Sequence, residues 1–337
     1  MIENSGIRIC SPALLIALIE VLLTGCFISR KDKEKEAEFR IVLIPDTQYY
    51  TAQTRNATVD MFRAQISWIK KYHRDSSIAY VAGMGDIVDD YGKGDPVEKQ
   101  WENAVHNGGY YALEEPAPGI PYGLAIGNHD EADENLKFGD PRYHHLPGLN
   151  PPRNTTRYYN HYFGVEHFKN KPWYGGHANI AGKNNNDCHF DKFTVAGQKY
   201  IVVFLPFDDI GNGEDKQGLM TSWADSVLKA NPLSKAFIVS HSMLTLENDK
   251  GQNAWSRQGK RIYEALKGNT NIIAMLCGHI SGEGFRRDVY NGHVIRTYLT
   301  DYQSEKNGGN GKMRTMRINT RTDSNSLRTF SPYLGQH

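Results

Sequence analysis

IPYGLAIGNHD, residues 120–130, sets an apolar run against a glycine, an amide, an imidazole and a carboxylate at Gly127, Asn128, His129 and Asp130. The run reads as a buried strand, and the glycine as the point where the backbone turns sharply away from it. Working outward, the same arrangement recurs in IPDTQ (44–48), MGDIVDD (84–90), VSHSM (239–243) and CGHIS (277–281). Each fragment alone is weak, because Asp after a strand is ordinary turn chemistry. Five in order, each closing an apolar run, form a pattern that turn propensity does not explain.

The segments between them read as helices and strands in alternation. VDMFRAQISWIKKY (59–72) carries Val59, Phe62, Ile66 and Ile69 at helical spacing, and EKQWENAVHNGGY (98–110) reads as a second helix closed by Gly108–Gly109. SWADSVLKANP (222–232) is a helix stopped by Pro232, and GKRIYEALKG (259–268) is another, between the strands KAFIVSHS (235–242) and NIIAMLCGH (271–279). HVIRTYLTDYQ (293–303) and KMRTMRINT (312–320) alternate like paired antiparallel strands. The expectation is an α/β fold with a largely buried, mixed sheet. In open α/β sheets, ligands bind beyond the carboxyl ends of the strands. One such rim would gather Asp46, Gln48, Asp86, Asn128, His129, His241 and His279. Carboxylates, amide carbonyls and imidazoles together suit hard or borderline divalent cations.

The five segments resemble the motifs of the calcineurin-like metallophosphoesterases: D-x-H, G-D-x-x-D/N, G-N-H-D/E, a lone His and G-H-x-H. The resemblance runs from about Phe39 to Ile318. It implies mixed β-sheets packed as a sandwich and flanked by helices, a four-layer α/β/β/α fold, with two divalent metals at the carboxyl edges. It implies that Asp46 and Gln48 serve the first metal, that Asp86 bridges both, and that Asn128, His241 and His279 complete the second. His129 would be the catalytic histidine acting on the leaving oxygen, with Asp130 orienting it. Two positions depart from the family: Gln48 stands where D-x-H has His, and Ser281 stands where G-H-x-H has its second His. Both departures fall on the first metal, and they predict a weak, oxygen-rich site that favours Mn²⁺, Mg²⁺ or Fe over Zn²⁺. His293 is the imidazole that could replace them, but it reads rather as an exposed strand residue.

The implied activity is hydrolysis of phosphate mono- or diesters by a metal-activated hydroxide. The two departures keep a second reading open, a lipid-anchored binding protein on this scaffold with little turnover. Arg286 and Arg287 are candidate clamps for a substrate phosphate.

Residues 131–189 lose all periodicity and read as an aromatic-rich loop insertion. Its Tyr and Trp residues, over 142–177, are expected to roof the site and stack on substrate. Its histidines (His144, His145, His161, His167, His177 and His189) read as polar packing.

The termini read differently. Residues 1–25 contain the apolar run SPALLIALIEVLL and end in LTGC (23–26), which resembles a lipoprotein signal cleaved before Cys26. The alternative is an uncleaved anchor, in which Glu20 near mid-span would cost about 2.5–3.5 kcal/mol. Residues 26–38 form a charged tether, 39–320 the catalytic-type domain and 321–337 a polar tail. This places the protein in a bacterial cell envelope, lipid-anchored. Cys188 and Cys277 could pair in an oxidising compartment, although Cys277 reads as a buried thiol.

The chain has 337 residues, 39% hydrophobic and 11% aromatic, which supports a sizeable core. A formal net charge of +1 with interspersed signs gives no footprint for nucleic acid. The expected partners are a phosphorylated substrate and, through Cys26, a membrane.

Overall fold

The computed structural model describes residues 38–89, 94–131, 156–180, 182–208, 215–322 and 324–337. The apolar leader, Cys26, nearly all of the charged tether, His144 and His145 lie outside them.

In chain order the first half holds β1 (Glu38–Ile44), α1 (Gln48–Thr51), α2 (Val59–Tyr72), β2 (Ile78–Gly83), α3 (Val97–Val105) and β3 (Tyr122–Leu124). There follow α4 (Arg157–Phe163), α5 (Val165–Phe168), β4 (Tyr174–Ile180), β5 (Lys183–Val195), β6 (Gln198–Leu205), α6 (Leu219–Ala230) and β7 (Lys235–Ser240). The last part comprises β8 (Leu244–Asp249), β9 (Gln252–Trp255), α7 (Arg257–Leu266), β10 (Ile272–Cys277), β11 (Gly282–Tyr290), β12 (His293–Asp301), β13 (Met313–Asn319) and β14 (Asn325–Phe330).

The strands make a five-stranded sheet, ordered β14-β13-β1-β2-β3, and a seven-stranded sheet, ordered β11-β12-β10-β7-β6-β5-β4. Both are mixed. β1, β2 and β3 run parallel, as do β6, β7, β10 and β12, while β13 and β11 join antiparallel.

Period-two alternation explains the layering. Phe39, Ile41 and Leu43 of β1 meet Val202, Phe204, Val239 and Leu276 of the other sheet in a central core. Val42 and Ile44, on the opposite face of β1, pack with Phe62, Ile66 and Ile69 of α2 and Trp101 of α3. Ile201, Val203 and Ile238 pack outward against Met220, Ala224 and Leu228 of α6 and Ile262 and Leu266 of α7. Three apolar clusters thus separate four layers, helix, sheet, sheet and helix, as expected.

Three expectations change. The stretch taken as a loop insertion is ordered from Arg157 onward into α4, α5, β4 and most of β5. Tyr159, Phe163, Phe168 and Trp173 are buried in the helix-side core, so they are not available to roof the site. Their polar tips end on backbone carbonyls: Tyr159 Oη donates to Leu124 O at 2.9 Å and Trp173 Nε1 to Tyr122 O at 3.1 Å. The tail beyond 320 is not separate either, because β14 pairs with β13 and Phe330 enters the core. Lastly, β12 and β13 do not pair with each other but sit in different sheets. Cys188 and Cys277 are buried free thiols.

Candidate metal centre

All seven expected site residues stand just past the carboxyl ends of parallel strands: Asp46 and Gln48 after β1, Asp86 after β2, Asn128 and His129 after β3, His241 after β7 and His279 after β10. The two sheets meet here. His279 N donates to Asp46 Oδ2 at 3.1 Å, and His241 Nδ1 lies 2.8 Å from Met84 O. Glycines make this approach possible: a Cβ on Gly127 would stand 2.1 Å from Asp86 Oδ1, and one on Gly278 would stand 2.2 Å from Asp46 Oδ1. Asp86 (φ 47°) and His279 (φ 74°) are held in the left-handed region, a strain of about 1–3 kcal/mol each that the surrounding packing must offset.

One half of the rim is rich in imidazole. Ligand atoms of Asp86, His241 and His279 all lie within 4.8 Å of one another, and this is the one such His, Cys, Asp or Glu group among the described residues. His241 Nε2 is 3.2 Å from Asp86 Oδ1 and 3.2 Å from His279 Nδ1. With Nδ1–H given to Met84 O, the Nε2 lone pair of His241 is aimed into this triangle. Burial disfavours ionised Asp86, but the charges of His241 and His129 outweigh it and hold its carboxyl below the usual range. Burial lowers His279, helped by the charge of His241, to about 4. A neutral imidazole of that kind is ready to ligate.

The other half is lined with oxygen. Asp46 and Gln48 are buried, and Gln48 Oε1 accepts no hydrogen bond. Burial, then the charges of Asp301 and Asp86, push the Asp46 carboxyl well above its ordinary value. Ser281 Oγ is engaged instead by Ser304 N at 3.0 Å. His293 does not supply the missing imidazole: it begins β12, at the rim opposite the site, and its Nε2 lies 2.7 Å from Ile272 O.

His129 stands beside both halves, its Nε2 4.0 Å from Asp86 Oδ2. The residue that orients it is not Asp130. His129 Nδ1 is 2.8 Å from Asp89 Oδ1, whereas Asp130 receives the backbone N–H groups of Ile87 (2.7 Å), Val88 (3.1 Å) and Gly127 (2.8 Å). Asp130 therefore ties the β2 turn to the β3 turn. Burial and the charge of Asp86 raise its carboxyl to about 7. His129 itself is lowered by burial, but Asp86 and Asp89 more than compensate and raise it above the ordinary imidazole value. The signal for Asp89 was the second Asp of the G-D-x-x-D segment, residues 85–89.

Arg286 also departs from expectation. Its guanidinium is committed to Asp288 (Nε–Oδ2 2.9 Å), Asp249 (Nη1–Oδ2 2.7 Å) and Asn253 O, and it lies over the Trp255 ring. It pins β11 to the β8–β9 hairpin, and its charge is already met by the two carboxylates. Arg287, on the opposite face of β11, is exposed.

Gln48 Oε1 is a buried orphaned acceptor of the kind a cation satisfies, and the imidazole triad is a ready donor set. The residues present therefore fit divalent ions. Such an ion would polarise a phosphoryl group and lower the pKa of bound water. Around it, Asp89 fixes the ring of His129, and His129, raised above its ordinary value, can give a proton to a leaving oxygen.

The family model described as calcineurin-like phosphoesterase matches residues 39–282. An uncharacterized protein of Bacillus subtilis (strain 168), YvnB, is 28% identical over 304 residues, which cover 88% of this chain but only 20% of that protein. Among solved structures, a dimetal phosphatase from Danio rerio aligns over 87% of this chain and 96% of its own, with 12% identity and a TM-score of 0.49. GAP50, the anchor in the inner membrane complex of Plasmodium, aligns over 89% and 88%, with 13% identity and a TM-score of 0.45. With a family model spanning most of the chain, this chain belongs to the calcineurin-like phosphoesterase family.

Proposed function

We propose that the chain binds phosphate esters at a divalent ion held by Asp86, Asn128, His241 and His279, and that it turns them over slowly when that ion alone is present. The observation that carries this reading is the imidazole triad, which has no counterpart of equal donor strength in the oxygen-lined half. A single ion can hold a phosphoryl oxygen, but a strong nucleophile in this chemistry draws on a second ion. Full turnover as a phosphoric ester hydrolase is the second reading. It is favoured by the His129–Asp89 pair, which a binding protein has no need to keep.

The test uses protein stripped of metal and reloaded with Zn²⁺ or Mn²⁺. Vanadate or phosphate binding is measured by calorimetry, beside hydrolysis of p-nitrophenyl phosphate and its bis ester. Metal-dependent anion binding with slow hydrolysis, both lost in Asp86→Ala, supports the first reading. Fast hydrolysis supports the second. Anion binding indifferent to metal overturns both.

We also propose that the protein is lipid-anchored in a bacterial cell envelope through Cys26. Labelled palmitate should enter the wild-type chain and not Cys26→Ala.

A further inference from the structure

We propose that Asp301 is a metal ligand of the oxygen-lined half of the rim, standing in for the imidazoles absent at Gln48 and Ser281, and that this half selects Mn²⁺ or Mg²⁺ over Zn²⁺. The inference rests on the metal-dependent reading above and names the residue that decides its turnover.

Asp301 is the last residue of β12, which runs parallel to β10 with Leu299 opposite Cys277. Two residues further along each strand, Asp301 comes level with His279. It therefore ends on the same rim as the other candidate ligands. The side chain is fully buried. Its Oδ1 accepts the Gln303 N–H at 2.9 Å, but its Oδ2 has no hydrogen-bond partner. Gln48 Oε1, 1% exposed, is orphaned in the same way. Gln303 links the two carboxylates, its N–H on Asp301 Oδ1 and its Nε2 on Asp46 Oδ2.

Neither Asp46 nor Asp301 has a cationic side chain as an ion-pair partner among the described residues. A buried carboxylate without a cation is costly, and two side by side are more so. The segment is nevertheless held in this arrangement: Gln303 Nε2 donates to Asp46 Oδ2 at 3.3 Å and to His279 O at 3.0 Å. A dication would satisfy both orphaned oxygens and both charges at once. Carboxylate and amide oxygens from Asp46, Gln48 and Asp301 make a hard donor set, the opposite preference from the imidazole half.

The test is metal binding by the full chain, read without reference to activity. Metal-free wild type, Asp301→Asn and Gln48→Glu are titrated with Mn²⁺, with bound ion followed by calorimetry and the Mn²⁺ electron spin resonance signal. Wild type is expected to bind a second equivalent of Mn²⁺ that Zn²⁺ displaces poorly, with spin coupling between the two ions. In Asp301→Asn that second equivalent should weaken by at least about tenfold, with the coupling lost and the first equivalent retained. The retained equivalent reports an intact fold. If Asp301→Asn loses both, Gln48→Glu decides: its added charge should tighten the second equivalent, and no change there overturns the proposal. A second equivalent unaltered in Asp301→Asn also overturns it. Wild type binding only a single equivalent overturns it while leaving the proposed function standing, and wild type binding none overturns both.

Discussion

The two halves of the rim solve the problem of holding a dication with different chemistry. In the imidazole half, two of the donors are oriented by neighbours: His241 by Met84 O, Asp86 by the His129 N–H at 2.9 Å. In the oxygen half, donors crowd without such satisfaction, leaving Gln48 Oε1 and Asp301 Oδ2 without partners. The first is preorganised by hydrogen bonds that persist without metal. The second stores unmet electrostatic demand that only a cation relieves. The same rim thus offers one imidazole-rich and one oxygen-rich set of donors.

The largest expected effect is at Asp86. Asp86→Ala removes the one carboxylate of the group it forms with His241 and His279 and leaves His241 without its buried counter-charge. Both metal affinity and any hydrolysis should fall below detection. Retention of tight Mn²⁺ binding in this variant, measured on metal-stripped protein, would break the comparison at its root.

Next in size is His129, which belongs to neither half. His129→Ala should lower the rate of ester hydrolysis by about 10²–10⁴-fold, with the metal content unchanged. A parallel loss of metal would make His129 a ligand and redraw the boundary between the halves. Asp89→Asn should cost less, about 10–100-fold, because it acts through the ring it orients. It should also move the alkaline limb of the pH–rate profile to lower pH. Asp89 helps hold His129 above its ordinary value, so without it the acid form is lost sooner as pH rises.

Sequence gave access to the imidazole half because Asp86 and His279 sit beside glycines that close apolar runs, and both features are local. Partnerships across the rim were not legible. Asp130 looked like the orienting residue because it follows His129 in the chain, yet the turn after β2 brings Asp89 to the ring and takes Asp130 for its own N–H groups. Asp301 was visible only near the end of the alternating run HVIRTYLTDYQ (293–303). Its place depends on the parallel register of β12 with β10, which no spacing encodes. The segment after Arg157 was hidden for a different reason. Its core residues include tyrosine and asparagine whose polar atoms are satisfied internally, as in Asn186 Nδ2 to Phe163 O at 2.8 Å, so no apolar period marks it. Arg286 shows the converse error, since a cation near a motif is not free when Asp249 and Asp288 already hold it.

The last expected effect is thermodynamic and sharpens the contrast without a substitution. In the metal-free protein, burial and neighbouring carboxylates raise Asp46 above its ordinary value, and the Asp86 charge outweighs burial to raise His241. For a group whose folded pKa is raised, the native state binds more protons than the unfolded one. Its contribution to stability is therefore present at low pH and lost as pH rises through the folded value. The same protons must leave before a metal can bind. The stabilisation produced by Mn²⁺ should accordingly grow from pH 5 to pH 7.5, by about 1.4 kcal/mol per pH unit for each proton displaced, and the rise in melting temperature with it. His189, which burial lowers to about 3, works in the other direction, losing stability as the solution is acidified. It is not among the candidate ligands and contributes equally with and without metal, so it cancels from the difference. Thermal melts with and without Mn²⁺ across that range give the slope. A flat difference would mean that the carboxylates and imidazoles of both halves are already deprotonated in the metal-free fold, and that crowding in the oxygen half is relieved by something other than a proton.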